Sequence, residues 1–115
     1  QSNLAVSVWS GAYDPIAIVR NEELVLLKAE ANIGKGGDGL TEINAVRTAH
    51  GLAAASTGGI DQLLHEKRYS LFMEGHRWVD MRRYGKTAAL PNDRSDRGDK
   101  VFDSFPLPEA ETKGK

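Results

Sequence analysis

The feature that most constrains the fold of this chain is a series of apolar segments, each followed by glycine. Within a segment, apolar residues recur every three or four positions, which places them on one face of an α-helix. Glycine ends helices readily because it adopts the left-handed backbone conformation without strain. The glycines in these positions are Gly34, Gly51, Gly75 and Gly85. The pattern therefore predicts an all-α fold with four helices.

The same pattern gives the bounds of the predicted helices. In chain order they are expected over residues 21–34, 38–50, 60–75 and 76–84. Asn21 is the expected N-cap of the first helix, the second helix has an alternative start at Leu40, and the third has one at Gly59. Because the connections are short, we expect antiparallel helix hairpins in a tetratricopeptide-like arrangement.

One side of each predicted helix should face a shared core. For the first helix, the expected inward residues are Leu24, Val25, Leu27, Lys28 and Ala31. For the other three helices, they are Leu40, Ile43, Ala45, Val46, Ile60, Leu63, Leu64, Lys67, Leu71, Phe72, Trp78, Val79 and Met81.

Irregular structure is predicted on both sides of the helices. Residues 1–20 alternate loosely between apolar and polar types and are interrupted by Gly11 and Pro15, which indicates an extended lead-in or a short strand. Residues 86–115 are expected to form an irregular tail whose last apolar residues dock back on the helices. The whole chain, 1–115, is therefore predicted to be a single domain.

Composition excludes several classes of function. The chain has 115 residues, no cysteine and a formal net charge of −1. Disulfides, thiol nucleophiles and cysteine-ligated metals are therefore excluded, and no overall charge attracts nucleic acid or an anionic membrane. No apolar run reaches the roughly 20 residues that span a bilayer. The chain begins Gln1-Ser2-Asn3 and shows no signal segment or lipid anchor, so we expect a processed product or an excised piece.

Residues 65–84 combine charges of both signs with aromatic and large apolar side chains. Such a mixture predicts a half-buried lattice of ion pairs that holds the third helix against the fourth. The expected pairs are Glu66 with Arg77, and Asp80 with either Arg68 or Arg83. The residues to which we assign this structural role are Glu66, Arg68, Glu74, Arg77, Trp78, Asp80, Arg82 and Arg83. No ligand-binding residue can be assigned from the sequence.

The same run has features of a nucleic-acid or metal site. Basic residues stand beside Trp78 and Tyr84, but Glu74 and Asp80 interrupt the basic stripe that nucleic acid requires. His65-Glu66 begins a zinc-protease motif, yet Tyr69 occupies the position of the second histidine. We therefore predict no nucleic-acid partner and no metal.

Cofactor binding and catalysis are also unsupported. The glycine-rich stretch 34–41 lacks the Gly-Lys-Ser/Thr ending of a phosphate-binding loop and follows a helix instead of a strand. It is better interpreted as a helix end and a flexible connection. No convincing serine, histidine and aspartate order is present. We therefore predict no cofactor and no enzyme activity.

Four blocks of sequence carry a family resemblance. They lie at 20–31, 43–52, 64–85 and 105–111, and the most specific part is Glu74-Gly75-His76-Arg77-Trp78-Val79-Asp80-Met81-Arg82-Arg83. In this order they resemble the SusD/RagB family, whose signature reads Glu-Gly-x-Arg-Trp-x-Asp-Leu-Arg-Arg. The sequence departs from the family pattern at Lys67, Ser70 and Met73 and at Ala49-His50. The departure at Ser70 weakens any ion pair expected there.

The resemblance implies a fold and a function for the protein. It implies a mostly helical surface lipoprotein of the outer membrane that binds a glycan or another nutrient and delivers it to a SusC-like TonB-dependent transporter. Family members are several times longer, so this chain would be their C-terminal helical scaffold. An alternative from a different class is a stand-alone tetratricopeptide-like adaptor that binds a protein segment in a helical groove.

Overall fold

The structure, a computed structural model, describes residues 11–92, 94–105 and 107–108. It contains four α-helices, which are α1 (Asn21–Gly34), α2 (Leu40–Ala49), α3 (Ile60–Ser70) and α4 (His76–Arg83). Two short 3-10 helices follow, at Thr87–Ala89 and Ser95–Arg97. No strand occurs among the described residues, so the all-helical prediction is confirmed for them. Residues 11–20 form turns and bends instead of the alternative short strand, and residues 1–10 lie outside the described part.

The core lies where α1 packs against both α2 and α3. Its buried residues are Leu26, Ala29, Ile43, Val46 and Leu63. Four partly buried side chains complete it, namely Val25, Ile33, Ala55 and Ile60. Burial of one large aliphatic side chain contributes about 1.5–3 kcal/mol, so this cluster is the main apolar contribution to the three-helix unit. α4 is attached to this unit mainly through α3.

The predicted inward face of α1 is wrong. Leu24 and Leu27 are 54% and 55% exposed, and Lys28 and Ala31 are exposed as well. Only Val25 of the predicted set packs against the core. α1 carries apolar residues on two sides, so periodicity alone gives two possible stripes. Packing against α2 and α3 selects the side that holds Leu26, Ala29 and Ile33.

Three inward predictions in the other helices are also wrong. Ala45, Phe72 and Val79 are exposed, whereas the remaining predicted residues are buried or partly buried. Ala45 lies beside the buried stripe of α2, and its small side chain favours neither face. Phe72 falls outside α3, because that helix ends at Ser70 and not at the predicted residue 75.

The early end of α3 has a local backbone cause. Met73 and Gly75 have φ angles of 65° and 82°, in the left-handed region that interrupts a right-handed helix. The chain reverses over residues 71–75, and α4 then begins at His76 with Gly75 as its N-cap. This reversal is what carries α4 back against α3.

Two glycines in the connections are required by close packing. The Gly39 amide donates a hydrogen bond of 2.9 Å to the Gly58 carbonyl, which joins the connection before α2 to the connection before α3. A Cβ atom on Gly58 would lie 2.3 Å from the Leu40 nitrogen, and one on Gly39 would lie 2.8 Å from the Ala29 Cβ. The sequence predicted a flexible connection at Gly39 and gave no indication of its close approach to Ala29. The predicted end of the first helix at Gly34 is correct, although the left-handed backbone angle, a φ of 85°, belongs to Gly36 and not to Gly34.

Candidate functional site

A buried lysine joins three helices. The Lys67 Nζ atom of α3 lies 3.1 Å from Oε2 of Glu30 on α1 and 2.8 Å from Oδ1 of Asp80 on α4. These three side chains are between 6% and 11% exposed. A buried charge destabilises a protein unless it is paired, so the position of one ammonium between two carboxylates ties α1, α3 and α4 together.

The other carboxylate oxygen of Glu30 is also occupied. Arg83 Nη1 donates to Glu30 Oε1 over 2.9 Å, and the Tyr84 hydroxyl donates to the same atom over 2.6 Å. Burial alone would raise the pKa of Glu30, but the hydrogen bonds from Tyr84 and Lys67 outweigh it and the pKa is lowered. Burial and the bond to Glu30 raise the pKa of Tyr84 to about 12. We refer to Glu30, Lys67, Asp80, Arg83 and Tyr84 as the Glu30 network.

The predicted ion pairs are wrong in their partners. Glu66 pairs with Arg47 of α2, whose Nη1 lies 2.5 Å from Glu66 Oε1, and it also accepts a hydrogen bond from Gln62. Asp80 pairs with Lys67 and not with Arg68 or Arg83. Arg83 reaches back to α1 to contact Glu30, over 53 positions of sequence. The pattern identified charges that need partners, but the partners come from helices far away in the sequence.

A polar cleft lies where the beginning of α1 meets the ends of α2 and α3. It has a volume of about 370 Å³ and is lined by Arg20, Glu22, Val46, Arg47, His50, Leu52, Glu66, Tyr69 and Ser70. Its charged residues contact one another, for example His50 Nε2 with Glu22 Oε1 at 2.9 Å. The Ser70 hydroxyl donates to the other Glu22 oxygen over 2.9 Å. Serine and histidine therefore contact opposite sides of one carboxylate, and the serine-to-histidine bond of a hydrolase is not formed.

Glu74 lies in a second group of charges, at the beginning of α4. Arg20 Nη2 is 2.7 Å from Glu74 Oε1, and the Arg20 side chain also donates to the Ser70 carbonyl. Ligand atoms of Glu23, Glu74 and His76 lie within 4.8 Å of one another, a spacing that a metal ion could occupy. Since Glu74 is already paired with Arg20 and the three side chains are partly exposed to solvent, these contacts alone do not define a metal centre.

Arg68 and Arg77 lie together at a different cavity, between α3 and α4. Its volume is about 360 Å³, and it is lined by Asp61, Leu64, His65, Arg68, Arg77, Met81, Lys86, Ala88 and Ala89. The Arg77 Nη1 atom donates to the Leu64 carbonyl over 3.0 Å. Burial and the neighbouring charge of Arg68 lower the pKa of Arg77. We refer to this group of residues as the basic cavity.

Trp78 connects α4 to the tail. Its indole N–H donates to the Phe102 carbonyl over 2.8 Å, and its ring centre lies 5.2 Å from that of Phe105. Arg82 covers the Trp78 ring at 5.5 Å, a cation–π contact. The predicted return of the tail to the helices is thus observed at Trp78. Leu107 and Pro108 are exposed, and Pro106 lies outside the described residues.

Sequence reasoning missed residues that are central to these groups. Glu30, Arg47 and Tyr84 received no role, and Lys67 was placed only on an apolar face. Lys67 did carry a usable signal, because a lysine at a predicted inward position needs a buried carboxylate partner. The identity of that partner had no signal, since Glu30 is 37 positions away.

Comparison with known proteins identifies the family. No curated protein and no solved structure matches the chain. The family model described as the SusD family matches residues 6–114. This match includes all four helices and all of the charged groups described above. The chain therefore belongs to the SusD family.

Proposed function

We propose that the chain is a helical scaffold part of a protein that binds a glycan or another nutrient for uptake across an outer membrane, together with a SusC-like TonB-dependent transporter. The observation that carries this proposal is the family match over residues 6–114. Members of this family bind substrates and are not enzymes, so we propose binding without catalysis.

The charge groups support the scaffold role. The Glu30 network connects α1, α3 and α4, and the pair of Arg47 with Glu66 connects α2 to α3. All four helices are thereby linked through ion pairs between elements. We propose that Glu66, Asp80 and Arg83 hold the helices in place through these pairs, and that Glu74 contributes through its separate pair with Arg20. We also propose that Trp78 and Arg82 hold the tail.

The cellular location follows from the family. We propose that the parent protein is a lipoprotein on the exposed face of the outer membrane, beside the transporter. No helix among the described residues is long and apolar enough to cross a bilayer.

Binding and catalysis can be tested together. The parent protein is applied to an array of poly- and oligosaccharides, and hits are measured by calorimetry and then incubated for hours and analysed by chromatography. We expect saturable binding of at least one saccharide or peptide without new products. Absence of any binding would contradict the nutrient-binding proposal, and product formation would contradict the proposal that the protein is not an enzyme. Co-purification with the transporter tests the partnership.

One observation favours the adaptor alternative. Leu24 and Leu27 form an apolar patch on the outer side of α1, and a protein partner could cover such a patch. A pull-down with the 115-residue chain, compared with its Leu24→Ser/Leu27→Ser variant, tests this alternative. Capture of one defined protein that the variant loses would favour an adaptor. Equal or absent capture by the two chains would favour the uptake protein.

A further inference from the structure

The basic cavity differs from every other charged group in the described part of the chain. Three cations, Arg68, Arg77 and Lys86, line it together with a single carboxylate, that of Asp61. Asp61 is 81% exposed, and its Oδ1 lies 2.8 Å from Lys86 Nζ. It therefore compensates the lysine, whereas neither Arg68 nor Arg77 forms a salt bridge among the described residues. The carboxylate of Asp80 acts on Arg77 only from a longer distance.

The two arginines make contacts that leave donors free. Arg77 Nη1 is bound to the Leu64 carbonyl, and Arg68 lies over the Tyr69 ring at 5.7 Å. A guanidinium has five N–H donors, so one carbonyl contact and one ring contact leave most of the donors of the two arginines unbound. Burial and, next to it, the charge of the nearby Arg68 lower the pKa of Arg77, while Asp80 acts in the opposite direction. Both remain charged at neutral pH because an arginine side chain does not deprotonate in proteins.

Planar, forked guanidinium groups bind oxyanions better than they bind other ligands. Their parallel N–H donors match two oxygens of a carboxylate, sulfate or phosphate group. A bound oxyanion would neutralise the repulsion between Arg68 and Arg77. The walls of the cavity also include Leu64, Met81 and the adjacent Ala88 and Ala89, which offer an apolar surface next to the cations.

The volume of the cavity limits which oxyanion-bearing molecules can bind in it. About 360 Å³ accommodates one sugar ring with its acidic group, and the apolar wall suits the C–H face of such a ring. Nucleic acid requires a basic stripe that follows several phosphates, whereas this chain has net charge −1 and its cations here are confined to one cavity.

We propose that the basic cavity binds the oxyanion of an acidic sugar, as a carboxylate or a sulfate ester, with Arg68 and Arg77 as its ligands. This assignment rests on the proposed function, because it names the class of nutrient that the scaffold contributes to binding. It makes the protein selective for acidic glycans over neutral ones of the same length.

Calorimetry on the 115-residue chain tests the assignment. The probes are a trigalacturonate, a sulfated trisaccharide, a neutral trisaccharide and a short single-stranded oligonucleotide, each at low salt. The Arg68→Gln chain is the test variant, since Arg68 is exposed and its loss should leave the fold intact. Arg97→Gln, which removes the same charge at an exposed position outside the cavity, is the matched control. Thermal melts establish that both variants are folded.

We expect at least one acidic trisaccharide to bind, the neutral one to bind at least tenfold more weakly, and the acidic affinity to fall about tenfold in Arg68→Gln but not in Arg97→Gln. The two acidic probes distinguish a carboxylate site from a sulfate site. Equal binding of the acidic and neutral probes, unaffected by Arg68→Gln, would overturn this inference and leave the proposed function standing. Preference for the oligonucleotide would also overturn it.

Failure of the two proposals gives different results. If the parent protein binds neutral saccharides on the array and this chain binds no acidic probe, only the cavity assignment is wrong. If the parent protein binds no saccharide or peptide at all, the nutrient-binding function is wrong, and the acidic-sugar assignment is lost with it.

Discussion

The Glu30 network and the basic cavity share helices α3 and α4 but differ in how their charges are balanced. In the network, Lys67 and Arg83 face the carboxylates of Glu30 and Asp80, and the Tyr84 hydroxyl completes the contacts. In the basic cavity, three cations face one exposed carboxylate. The first arrangement satisfies itself and fits a structural role. The second leaves N–H donors of Arg68 and Arg77 unbound among the described residues, as we expect of a site that binds an anion.

The largest effect is expected when the network loses its central cation. Lys67→Met removes the salt bridge of the buried Asp80, which then has only the weaker attraction of the more distant Arg77 and Arg83 among the described residues. The substitution also removes one of the cations from Glu30. The free energy of unfolding should fall by about 3–5 kcal/mol, measured by urea denaturation. Lys35→Met at an exposed position is the control and should change it by less than about 0.5 kcal/mol. Equal effects of the two substitutions would show that the network does not stabilise the fold.

A second variant separates lost pairing from lost packing. In Lys67→Met/Asp80→Asn, the carboxylate that Lys67→Met leaves unpaired is also removed. We expect this double variant to recover part of the loss, because the destabilisation comes from an uncompensated charge. A double variant that is less stable than Lys67→Met would contradict that explanation.

A smaller effect is expected from the equivalent change in the basic cavity. Arg77→Gln removes a cation and its bond to the Leu64 carbonyl, but it leaves no carboxylate unpaired among the described residues. The free energy of unfolding should fall by about 1–2 kcal/mol in the same urea experiment. A loss as large as that of Lys67→Met would mean that the two regions do not differ in the way their charges are balanced.

The third effect depends on pH. The pKa of Tyr84 rises from the ordinary tyrosine value of 10.0 to about 12 in the folded chain, so the folded state holds this proton more tightly than the unfolded state does. The contribution of the Tyr84 proton to the free energy of unfolding is therefore complete below pH 10 and is lost as the pH rises towards 12. Tyr84→Phe should reduce stability by about 1 kcal/mol at about pH 9, and the difference from the unaltered chain should shrink by about pH 11.5. A difference that stays constant over this range would exclude a structural role for the Tyr84 proton.

The smallest effect is expected for Arg68→Gln. Arg68 is exposed and adds a repulsive charge beside Arg77, so its removal should change the free energy of unfolding by no more than about 0.5 kcal/mol. Any change should be stabilising at low salt and vanish at high salt, because screening weakens the repulsion. A clear loss of stability would assign Arg68 to the scaffold instead of a ligand site.

The limits of sequence reasoning are visible in particular residues. The periodicity and the glycines predicted the all-helical class, and the blocks around Arg77 and Trp78 predicted the family. The same periodicity assigned Leu24 and Leu27 to the core, because α1 has two apolar sides and the pattern contains no information on which side meets α2 and α3. The turn at Met73 was missed, since a methionine with positive φ has no sequence signal.

The sequence by itself determined the four helices, the end of α1 at Gly34, the family and the presence of charges that required partners. Only the tertiary structure decided which face of α1 is buried, that Glu66 pairs with Arg47, and that Lys67 lies between Glu30 and Asp80. The physical reason is the range of the interactions. Helix formation and termination depend on residues within a few positions of one another, whereas buried ion pairs and shared cavities join side chains that only packing brings together.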